Sequence, residues 1–489
     1  MRHLLLLLLA ASVCIGQNIS APRIWNEQSL ADWVAPVAGL NVRPSLFTEK
    51  QYYATPQGEW VRTYPVYFPG REPEGYWEML RNKKPEPIIT PGPRTRGEWI
   101  AAGKQVFHEL DFLASRSYDP KYFAILRSAE EFKKLGGHPQ KDGTVQGLRL
   151  VPTGGGLAIS VRECAGCHVR TMPDGSILDG APDHDPGDGI SNELLSQATL
   201  KSFMGESLAM ANWRNFVAPW IPNDIHDAIR TMPQKQLDEL LESNIPGTIP
   251  RFNGSPYFTT KIPDLIGVGD RKYIDATATH RLRNPEDIAR YGALVTCCDP
   301  ADFGPHRMLS SQQRVVQDPF SDDLLYALAQ YIISLEPPKN PNLGDPRSAL
   351  GKKVFEREGC PSCHTPPLYS NNKLTLAQGY RPPKDHPFAA DIIPVSVGTD
   401  SNLSLKTRKG TGLYKIPSLK GVWYRRLYGH DGSVADLEDW FNPARLRNDY
   451  VPTGFKGYQV KHRAVPGHEF GLALEADDKA ALVAFLRTL

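Results

Sequence analysis

Basic runs, long apolar stretches and sulfur-containing residues are all scarce in this chain of 489 residues. The formal net charge is only +2 and no long basic run is present, so the sequence does not predict a nucleic-acid partner. Beyond the first 16 residues, no apolar stretch approaches the roughly 20 residues that cross a bilayer, and we expect no membrane span in the mature chain. Only seven cysteines and seven methionines occur, and no methionine follows Met308.

The overall composition is that of a globular protein. Hydrophobic residues make up 40% of the chain and charged residues 22%. The length predicts two or three domains rather than one core. The 41 glycines and 43 prolines predict many loops between the helices.

The first 16 residues differ from the rest of the chain. The sequence "MRHLLLLLLAASVCIGQ" has a short basic start, an apolar stretch from Leu4 to about Val13, and then small residues. This order is typical of a secretory signal peptide, with cleavage expected after Gly16. A membrane anchor is the alternative, but the apolar run is shorter than the ~20 residues of a membrane span. We therefore expect a periplasmic or secreted protein.

Four of the seven cysteines lie in two copies of one short motif. The motif residues are Cys164, Cys167 and His168 in "CAGCH", and Cys360, Cys363 and His364 in "CPSCH". Disulfides and zinc sites are the alternatives, but each pair is three residues apart with a histidine directly after it, which suits neither. Cys-x-x-Cys-His is the attachment signature of c-type haem, in which two thiols bind the haem vinyl groups and the imidazole reaches the iron. We predict two covalently bound haems with His168 and His364 as proximal iron ligands.

The neighbouring residues Cys297 and Cys298 are the other cysteines of the mature chain, because Cys14 leaves with the signal peptide. They are either reduced and buried, or joined in a strained vicinal disulfide that is readily reduced. A structural role without a catalytic task is favoured.

Two similar segments near the ends of two long sections indicate an internal repeat. Residues 321–335 and 476–489 share an acidic start, helical apolar spacing and a Ser/Thr-Leu ending. Each predicts a helix that closes a unit with one haem motif. We predict a mainly α fold with two cytochrome c-like haem domains, long irregular loops and an N-terminal extension. The predicted order begins with the signal peptide over 1–16 and a Pro- and Trp-rich N-terminal extension over 17–140. A first cytochrome c-like domain, the candidate for the catalytic haem, follows over 141–335. A linker over 336–346 leads to a second cytochrome c-like domain, with the electron-transfer haem, over 347–489.

Three further segments have a clear local pattern. Residues 346–359 predict a helix that runs into the second haem motif and stops at Gly359. Residues 284–295 predict a helix with Asn284 as its N-terminal cap. The acidic loop over 173–189 lacks the twelve-residue order of an EF-hand, so a solvated loop is favoured over a calcium site.

The ligand opposite each proximal histidine decides whether the iron transfers electrons or reacts. Since no methionine follows Met308, the candidates for the second haem are His386, His430, His462 and His468. We favour His468, which lies just before the closing helix between Gly467 and Gly471, with His430 as the alternative. A haem with two histidines has a low potential and mainly transfers electrons.

The candidates for the sixth ligand of the first haem are His184, Met204, Met210, His226, His306 and Met308. An open or weakly held sixth position is favoured over a second closed haem, because irregular loops can form a substrate pocket.

The C-terminal part of the chain resembles a known family. Residues 414–441 read "YKIPSLKGVWYRRLYGHDGSVADLEDWF", which is similar to the bacterial dihaem cytochrome c peroxidase superfamily. The match is carried by Pro417, Ser418, Leu419, Tyr428, His430, Asp431 and Gly432, with Lys420 in the place of the family's arginine. The resemblance covers about 340 to 489 well and 145 to 335 loosely. The peroxidases have a methionine after the His-Asp-Gly stretch, so on this point the chain looks more like the rubber-cleaving dihaem oxygenases of the same superfamily.

The resemblance implies a division of labour between the two haems. The haem at His168 would reduce hydrogen peroxide, and the haem at His364 would relay electrons from a small donor protein such as a monohaem cytochrome or a cupredoxin. An oxygenase that acts on an apolar substrate with dioxygen and a dihaem electron carrier without catalysis are the alternatives. Trp213 or Trp220 would lie between the haems, although core packing is the favoured role for either. The acid/base group over the reacting iron is not identified by the sequence.

Overall fold

The computed structural model describes residues 18–110, 124, 127–134, 140–154, 156–160, 164–172, 174–182, 207–250, 253–300, 302–308 and 318–489. The expected signal peptide lies outside these residues. No helix among them is both long enough and apolar enough to cross a membrane.

Helices are the main elements of the described residues. They are α1 (Glu27–Leu30), α2 (Glu49–Ala54), α3 (Tyr76–Arg81), α4 (Arg96–Glu109), α5 (Ala129–Lys134), α6 (Cys164–His168), α7 (Leu208–Phe216), α8 (Gln234–Glu242), α9 (Pro285–Cys297), α10 (Asp322–Ile333), α11 (Ser348–Arg357), α12 (Asn402–Leu405), α13 (Leu437–Trp440) and α14 (Ala476–Arg487). Short 3₁₀ helices cover Ile225–Thr231, Val268–Asp270, Cys360–Ser362, Ala389–Asp391 and Pro443–Leu446.

Strands form small antiparallel sheets between the helices. They are β1 (Tyr64–Tyr67), β2 (Thr144–Thr153), β3 (Gly156–Ser160), β4 (Val169–Thr171), β5 (Ile177–Asp179), β6 (Thr248–Ile249), β7 (Thr260–Lys261), β8 (Tyr273–Ile274), β9 (His280–Arg281), β10 (Asp302–Phe303), β11 (His306–Arg307), β12 (Leu374–Leu376) and β13 (Leu413–Lys415). In the described part of the chain, β1, β2 and β3 form a three-stranded sheet and the other strands form five pairs. The prediction of a mainly α fold therefore holds only in part, because the architecture is mixed.

The two closing helices are confirmed. Helix α10 begins after Ser321, whose hydroxyl accepts the Leu324 N–H, and helix α14 covers the second predicted segment. The predicted helix after Asn284 is also confirmed as α9, with the Asn284 side chain accepting the Asp287 N–H. Helix α11 forms as predicted, and Gly359 follows it in the left-handed region with φ 73°.

Each closing helix crosses an earlier helix at a glycine. Gly351 of α11 lies against the carbonyl of Ala481 in α14, and Gly103 of α4 lies against the carbonyl of Ala327 in α10. A methyl group at either glycine would overlap that carbonyl oxygen. The crossings have related sequences, "GKQVF" from Gly103 and "GKKVF" from Gly351, so the chain contains two versions of the same helix pair.

The segment expected to be an N-terminal extension is packed into the core of the unit that carries His168. Buried tryptophans at 25, 33 and 99 share one hydrophobic cluster with helices α9 and α10. The Trp25 ring stacks on Tyr52 with 5.1 Å between ring centres, and the Tyr52 hydroxyl donates to the Phe320 carbonyl at 2.9 Å. Helix α4, which pairs with α10, also belongs to this segment.

Candidate metal centres

The second Cys-x-x-Cys-His motif follows helix α11 directly. After Gly359, a 3₁₀ turn over Cys360–Ser362 reverses the chain, and the His364 N–H donates to the Cys360 carbonyl at 2.9 Å. The His364 Nδ1 lies 3.1 Å from the Tyr369 carbonyl oxygen. Because a carbonyl can only accept, Nδ1 carries the proton and Nε2 is left to bind a metal.

His468 lies opposite His364. Their ring centres are 6.2 Å apart, with 61° between the ring planes. Two imidazoles that bind one iron from opposite sides, each about 2 Å away through a ring nitrogen, have ring centres about 6 Å apart. The pair therefore has the spacing that an iron between two histidines requires.

The conformation of the loop around His468 is set by a buried arginine. Arg445 donates to the carbonyls of Val465 at 2.7 Å, Gly467 at 2.9 Å and His468 at 2.8 Å. His468 itself has φ 50°, and its N–H donates to the Val397 carbonyl at 2.7 Å. These contacts hold a left-handed backbone that costs free energy for a residue with a side chain.

The environment of both rings favours neutral imidazole, which is the metal-binding form. Burial lowers the pKa of His364, and burial followed by the nearby His364 lowers the pKa of His468 to about 4. The Nδ1 of His468 is buried without a hydrogen-bond partner, and the ring centre lies 5.6 Å from that of Trp440 and 5.3 Å from that of Phe470. A buried polar atom without a partner is costly, and these residues fit a haem iron held between the two histidines.

The other candidates for the second centre have different surroundings. His386 packs against Phe388, and its Nδ1 accepts the Phe388 N–H at 3.1 Å. His462 is exposed. His430 lies beside Tyr414, with 4.9 Å between ring centres, and its Nε2 is 3.4 Å from the Asp400 carboxylate.

Asp400, His430 and Asp431 form a small cluster whose potential ligand atoms lie within 4.8 Å of one another. Burial would raise the pKa of Asp431, but His430, Arg463 and hydrogen bonds from Ser433 lower it. Arg463 reaches the Asp431 carboxylate at 3.0 Å, so this charge is balanced by the protein itself.

The first Cys-x-x-Cys-His motif forms helix α6. The His168 Nδ1 lies 3.1 Å from the Pro263 carbonyl oxygen, so Nδ1 is again the donor and Nε2 is left for a metal. Burial lowers the pKa of His168 to about 4. The ring is therefore neutral, and its environment parallels that of His364.

No second histidine is brought against His168 within the described ranges. The His226 Nδ1 is 2.6 Å from the Asp224 carboxylate, and the His306 ring lies 5.3 Å from that of Trp220. Met210 lies in helix α7, and Met308 directly follows β11. His184 and Met204 lie outside the described residues. Among the described histidine rings, the face-to-face arrangement of two imidazoles is found at His364 and His468.

The tryptophans considered as bridges have packing contacts. The Trp213 Nε1 donates to Asp227 at 3.1 Å, and the Trp220 ring lies 5.2 Å from Phe303. Residues 173 and 183–189 of the acidic loop considered for calcium lie outside the described residues. Of its acids, Asp174 accepts hydrogen bonds from Ser176, and Asp179 pairs with His108 at 3.0 Å.

The paired cysteines at the end of α9 have their Sγ atoms 2.7 Å apart. Cys298 is buried, and burial followed by the contact with Cys297 raises the pKa of its thiol. A thiolate is therefore disfavoured here, which agrees with the expected structural role.

A repeated segment that contacts both proximal histidines was missed in the sequence. The segments are "KIPDLIGVGDR" at 261–271 and "KIPSLKGVWYR" at 415–425. The Pro263 carbonyl accepts from His168, and the backbone of Pro417 also hydrogen-bonds His364. The signal was present as the repeat K-I-P-x-L-x-G-V-x-x-R, but a comparison of the closing helices alone does not reveal it.

No protein-family model and no curated protein sequence matches the chain. Two solved structures have partial similarity. Hydrazine synthase of Kuenenia stuttgartiensis aligns with 17% identity over 47% of this chain and 72% of that chain, with a TM-score of 0.26. A MauG-like protein associated with microbial copper homeostasis aligns with 18% identity over 47% of this chain and 73% of that chain, with a TM-score of 0.28.

Proposed function

We propose that this chain is an exported dihaem c-type cytochrome oxidoreductase. It reduces hydrogen peroxide at the His168 site with electrons that arrive through the His364 site. The observation that carries the proposal is the asymmetry between the centres. His364 faces His468 at 6.2 Å, whereas no described histidine ring lies opposite His168.

The chemistry depends on this asymmetry. A haem iron with an open coordination position binds and activates peroxide or dioxygen, and one with both positions filled transfers electrons. Cys164 and Cys167 would attach one haem, and Cys360 and Cys363 the other, since each pair directly precedes its histidine. His468 closes the second site with a nitrogen ligand, which lowers the potential relative to a methionine.

The chain's own residues keep both proximal histidines ready to bind iron. The carbonyls of Pro263 and Tyr369 each accept the Nδ1 proton of a histidine at 3.1 Å. This contact fixes the ring orientation and the tautomer, and it increases the basicity of the free nitrogen. Both rings are neutral at neutral pH because burial disfavours their charged forms.

The two units are joined directly, which suits electron transfer between them. The Lys261 N–H donates to the His430 carbonyl at 3.1 Å, and the Lys415 N–H donates to the Ala276 carbonyl at 3.0 Å. The Tyr424 hydroxyl donates to the Asp264 carboxylate at 3.0 Å. These contacts hold the segments beside the two proximal histidines in one arrangement.

An oxygenase is the second candidate, and one observation favours it. The residue opposite His364 is a histidine, as in the rubber-cleaving oxygenases that the C-terminal segment resembles. In that case dioxygen and an apolar substrate would replace peroxide at the His168 site. The electron donor in the peroxidase case would be a small protein such as a monohaem cytochrome or a cupredoxin, met in the periplasm or outside the cell.

Mass spectrometry and electron paramagnetic resonance test the proposal together. The exported chain should carry two haem masses. The oxidised protein should give a low-spin signal from the His364 site. The His168 site should give a high-spin signal, either in the oxidised protein or after half-reduction. Rapid spectral change with hydrogen peroxide supports the peroxidase, and a stable dioxygen complex supports the oxygenase. Two low-spin signals in the oxidised protein, with no high-spin signal after half-reduction, would leave only an electron carrier.

A further inference from the structure

Four cations from the repeated segment meet where the two units join. They occupy equivalent positions of the two copies, and we call them the junction cations: Lys261, Arg271, Lys415 and Arg425. Arg271 and Arg425 both reach Asp264, Arg271 at its carbonyl and Arg425 at its carboxylate. Both arginines also lower the pKa of Lys261 and of Lys415. Like charges placed this close repel one another unless an anion lies among them.

The carboxylates nearby do not balance this charge. Asp264 lies 3.5 Å from the Arg425 guanidinium and already accepts hydrogen bonds from Tyr424 and the Ile266 N–H. Asp275 accepts from Thr279 and Tyr291. Asp431 is paired with Arg463. The hydroxyl partners of Asp275 are neutral, and Asp270 and Asp431 each face a cation outside the four, Lys420 and Arg463. Two carboxylates, Asp264 and Asp275, are therefore left for four positive charges.

Their other hydrogen-bond partners are neutral. Arg271 donates to the carbonyls of Asp264 and Ile266, the latter at 2.8 Å. The Lys415 Nζ donates to the Tyr273 carbonyl at 3.3 Å. Carbonyl oxygens solvate a cation but leave its charge uncompensated, which is costly away from bulk water.

The two lysines show the consequence of this imbalance. Burial, with a further contribution from Arg425, lowers the pKa of Lys261 to about 8. Burial, with a further contribution from Arg271, lowers the pKa of Lys415 to about 7. A bound anion would restore both lysines to full charge.

The position of the lysines indicates what the anion is. Lys261 stands two residues before Pro263, whose carbonyl orients His168, and Lys415 stands two residues before Pro417, which contacts His364. Each lysine is therefore two residues away in the chain from a proline that contacts one proximal histidine. A haem has two carboxylate side chains, so two haems would bring carboxylates to the junction from both units.

We propose that the junction cations form an anion site that binds carboxylates, supplied by the propionate groups of the two haems. The assignment of the carboxylates to haem rests on the proposed function, whereas the anion site rests on the charge imbalance alone. The same chemistry would accept a free dicarboxylate or phosphate, so the test must separate these sources. A cation near a haem also favours the reduced state, because reduction adds a negative charge.

The experiment compares Lys261→Met and Lys415→Met with the matched control Lys406→Met, an exposed lysine of the second unit. Haem content is measured by mass, folding by circular dichroism, and the potential of each haem by spectroelectrochemistry. Loss of either junction lysine should shift the oxidised/reduced equilibrium of a haem about tenfold toward the oxidised state, a fall of about 59 mV for one electron. Lys406→Met should leave both potentials unchanged.

Calorimetric titration of the same proteins with succinate and inorganic phosphate identifies the source of the anion. Falling potentials without binding of either anion support propionates as the occupants. A second outcome is that the potentials are unchanged and that succinate or phosphate binds the wild type but neither lysine variant. This outcome supports an anion site for a free ligand and overturns the propionate assignment. Unchanged potentials without binding overturn the anion site.

The haem content of the wild type and the potentials of two arginine variants complete the test. A wild-type chain with fewer than two haems would contradict the proposed function, and the succinate and phosphate titrations would still decide whether the anion site exists. If a methionine variant fails to fold, Lys261→Arg and Lys415→Arg retain the charge. These variants should keep the wild-type potentials, and a tenfold shift in them would overturn the role of charge.

Discussion

The imidazole of His468 faces the imidazole of His364 with 6.2 Å between the ring centres. His468 comes from a loop more than a hundred residues further along the chain, and this loop must adopt a left-handed backbone to place the ring there. Such strain persists only where the surrounding structure enforces it, and it is typical of ligand and active sites.

Replacing His468 should open the second centre. His468→Ala removes the ligand opposite His364, so the low-spin signal of that haem should become high-spin in the paramagnetic resonance spectrum. His468→Met should keep it low-spin and raise its potential, with the oxidised/reduced equilibrium shifted at least about tenfold, or about 59 mV. The exposed His462→Ala is the control and should match the wild type. An unaltered low-spin signal in His468→Ala would show that another residue is the ligand.

Arg445 should position His468 without touching the iron. Arg445→Met removes the donors to three carbonyls of the His468 loop, and we expect a loss of about 3 kcal/mol in the free energy of unfolding. Because His468 would then be positioned less firmly, the second centre should give a mixture of low-spin and high-spin signals. Arg447→Met lies two residues away, has an exposed partner in Asp449, and should change stability by less than about 0.5 kcal/mol. A purely structural arginine would lower stability and leave the spin state unchanged.

The two helix crossings should not tolerate a methyl group. Gly351→Ala and Gly103→Ala each force the helices apart at a backbone carbonyl, and we expect each to cost about 2 to 3 kcal/mol in thermal unfolding. Gly97→Ala lies in the same helix as Gly103 with open space around it, and it should stabilise the protein by up to about 1 kcal/mol. Equal effects at positions 97 and 103 would argue against close packing at the crossing.

The buried Asp287 should contribute to stability in a pH-dependent way. Its carboxylate lies 2.6 Å from the Arg290 guanidinium, and both side chains are almost completely buried. Burial would raise the pKa of Asp287, but hydrogen bonds from Arg283 and the charge of Arg290 lower it below the ordinary value. Because the folded-state pKa is the lower one, the stabilisation is complete above the unfolded pKa of about 4 and is lost as the pH falls through the folded pKa.

Asp287→Asn tests this dependence. It should cost about 3 to 5 kcal/mol at neutral pH, because it leaves Arg290 buried without its counter-charge. The difference in unfolding free energy from the wild type should shrink below pH 4. The exposed Asp449→Asn should have a small effect at neutral pH, and a pH-independent difference for Asp287→Asn would mean that the ion pair is not its cause.

Local patterns predicted much of the fold. The closing helices α10 and α14 follow from apolar spacing, and Asn284 was predicted as a helix cap because a cap needs only its own neighbours. The small sheets were less visible, since strands of two or three residues contain too little alternation to predict them. The core position of Trp99 was missed because it depends on contacts with a helix more than two hundred residues away.

The candidate site also contains features that local sequence predicts and features that depend on distant contacts. By itself, the sequence determined the two Cys-x-x-Cys-His motifs, because haem attachment and the first iron ligand need residues only a few positions apart. Only the tertiary structure decided which of four histidines faces His364 and that helix α4 pairs with α10. It also decided that Arg271 and Arg425 of the repeated segment both reach Asp264. These relationships join segments that are distant in the chain, and packing of the whole fold rather than local periodicity brings them into contact.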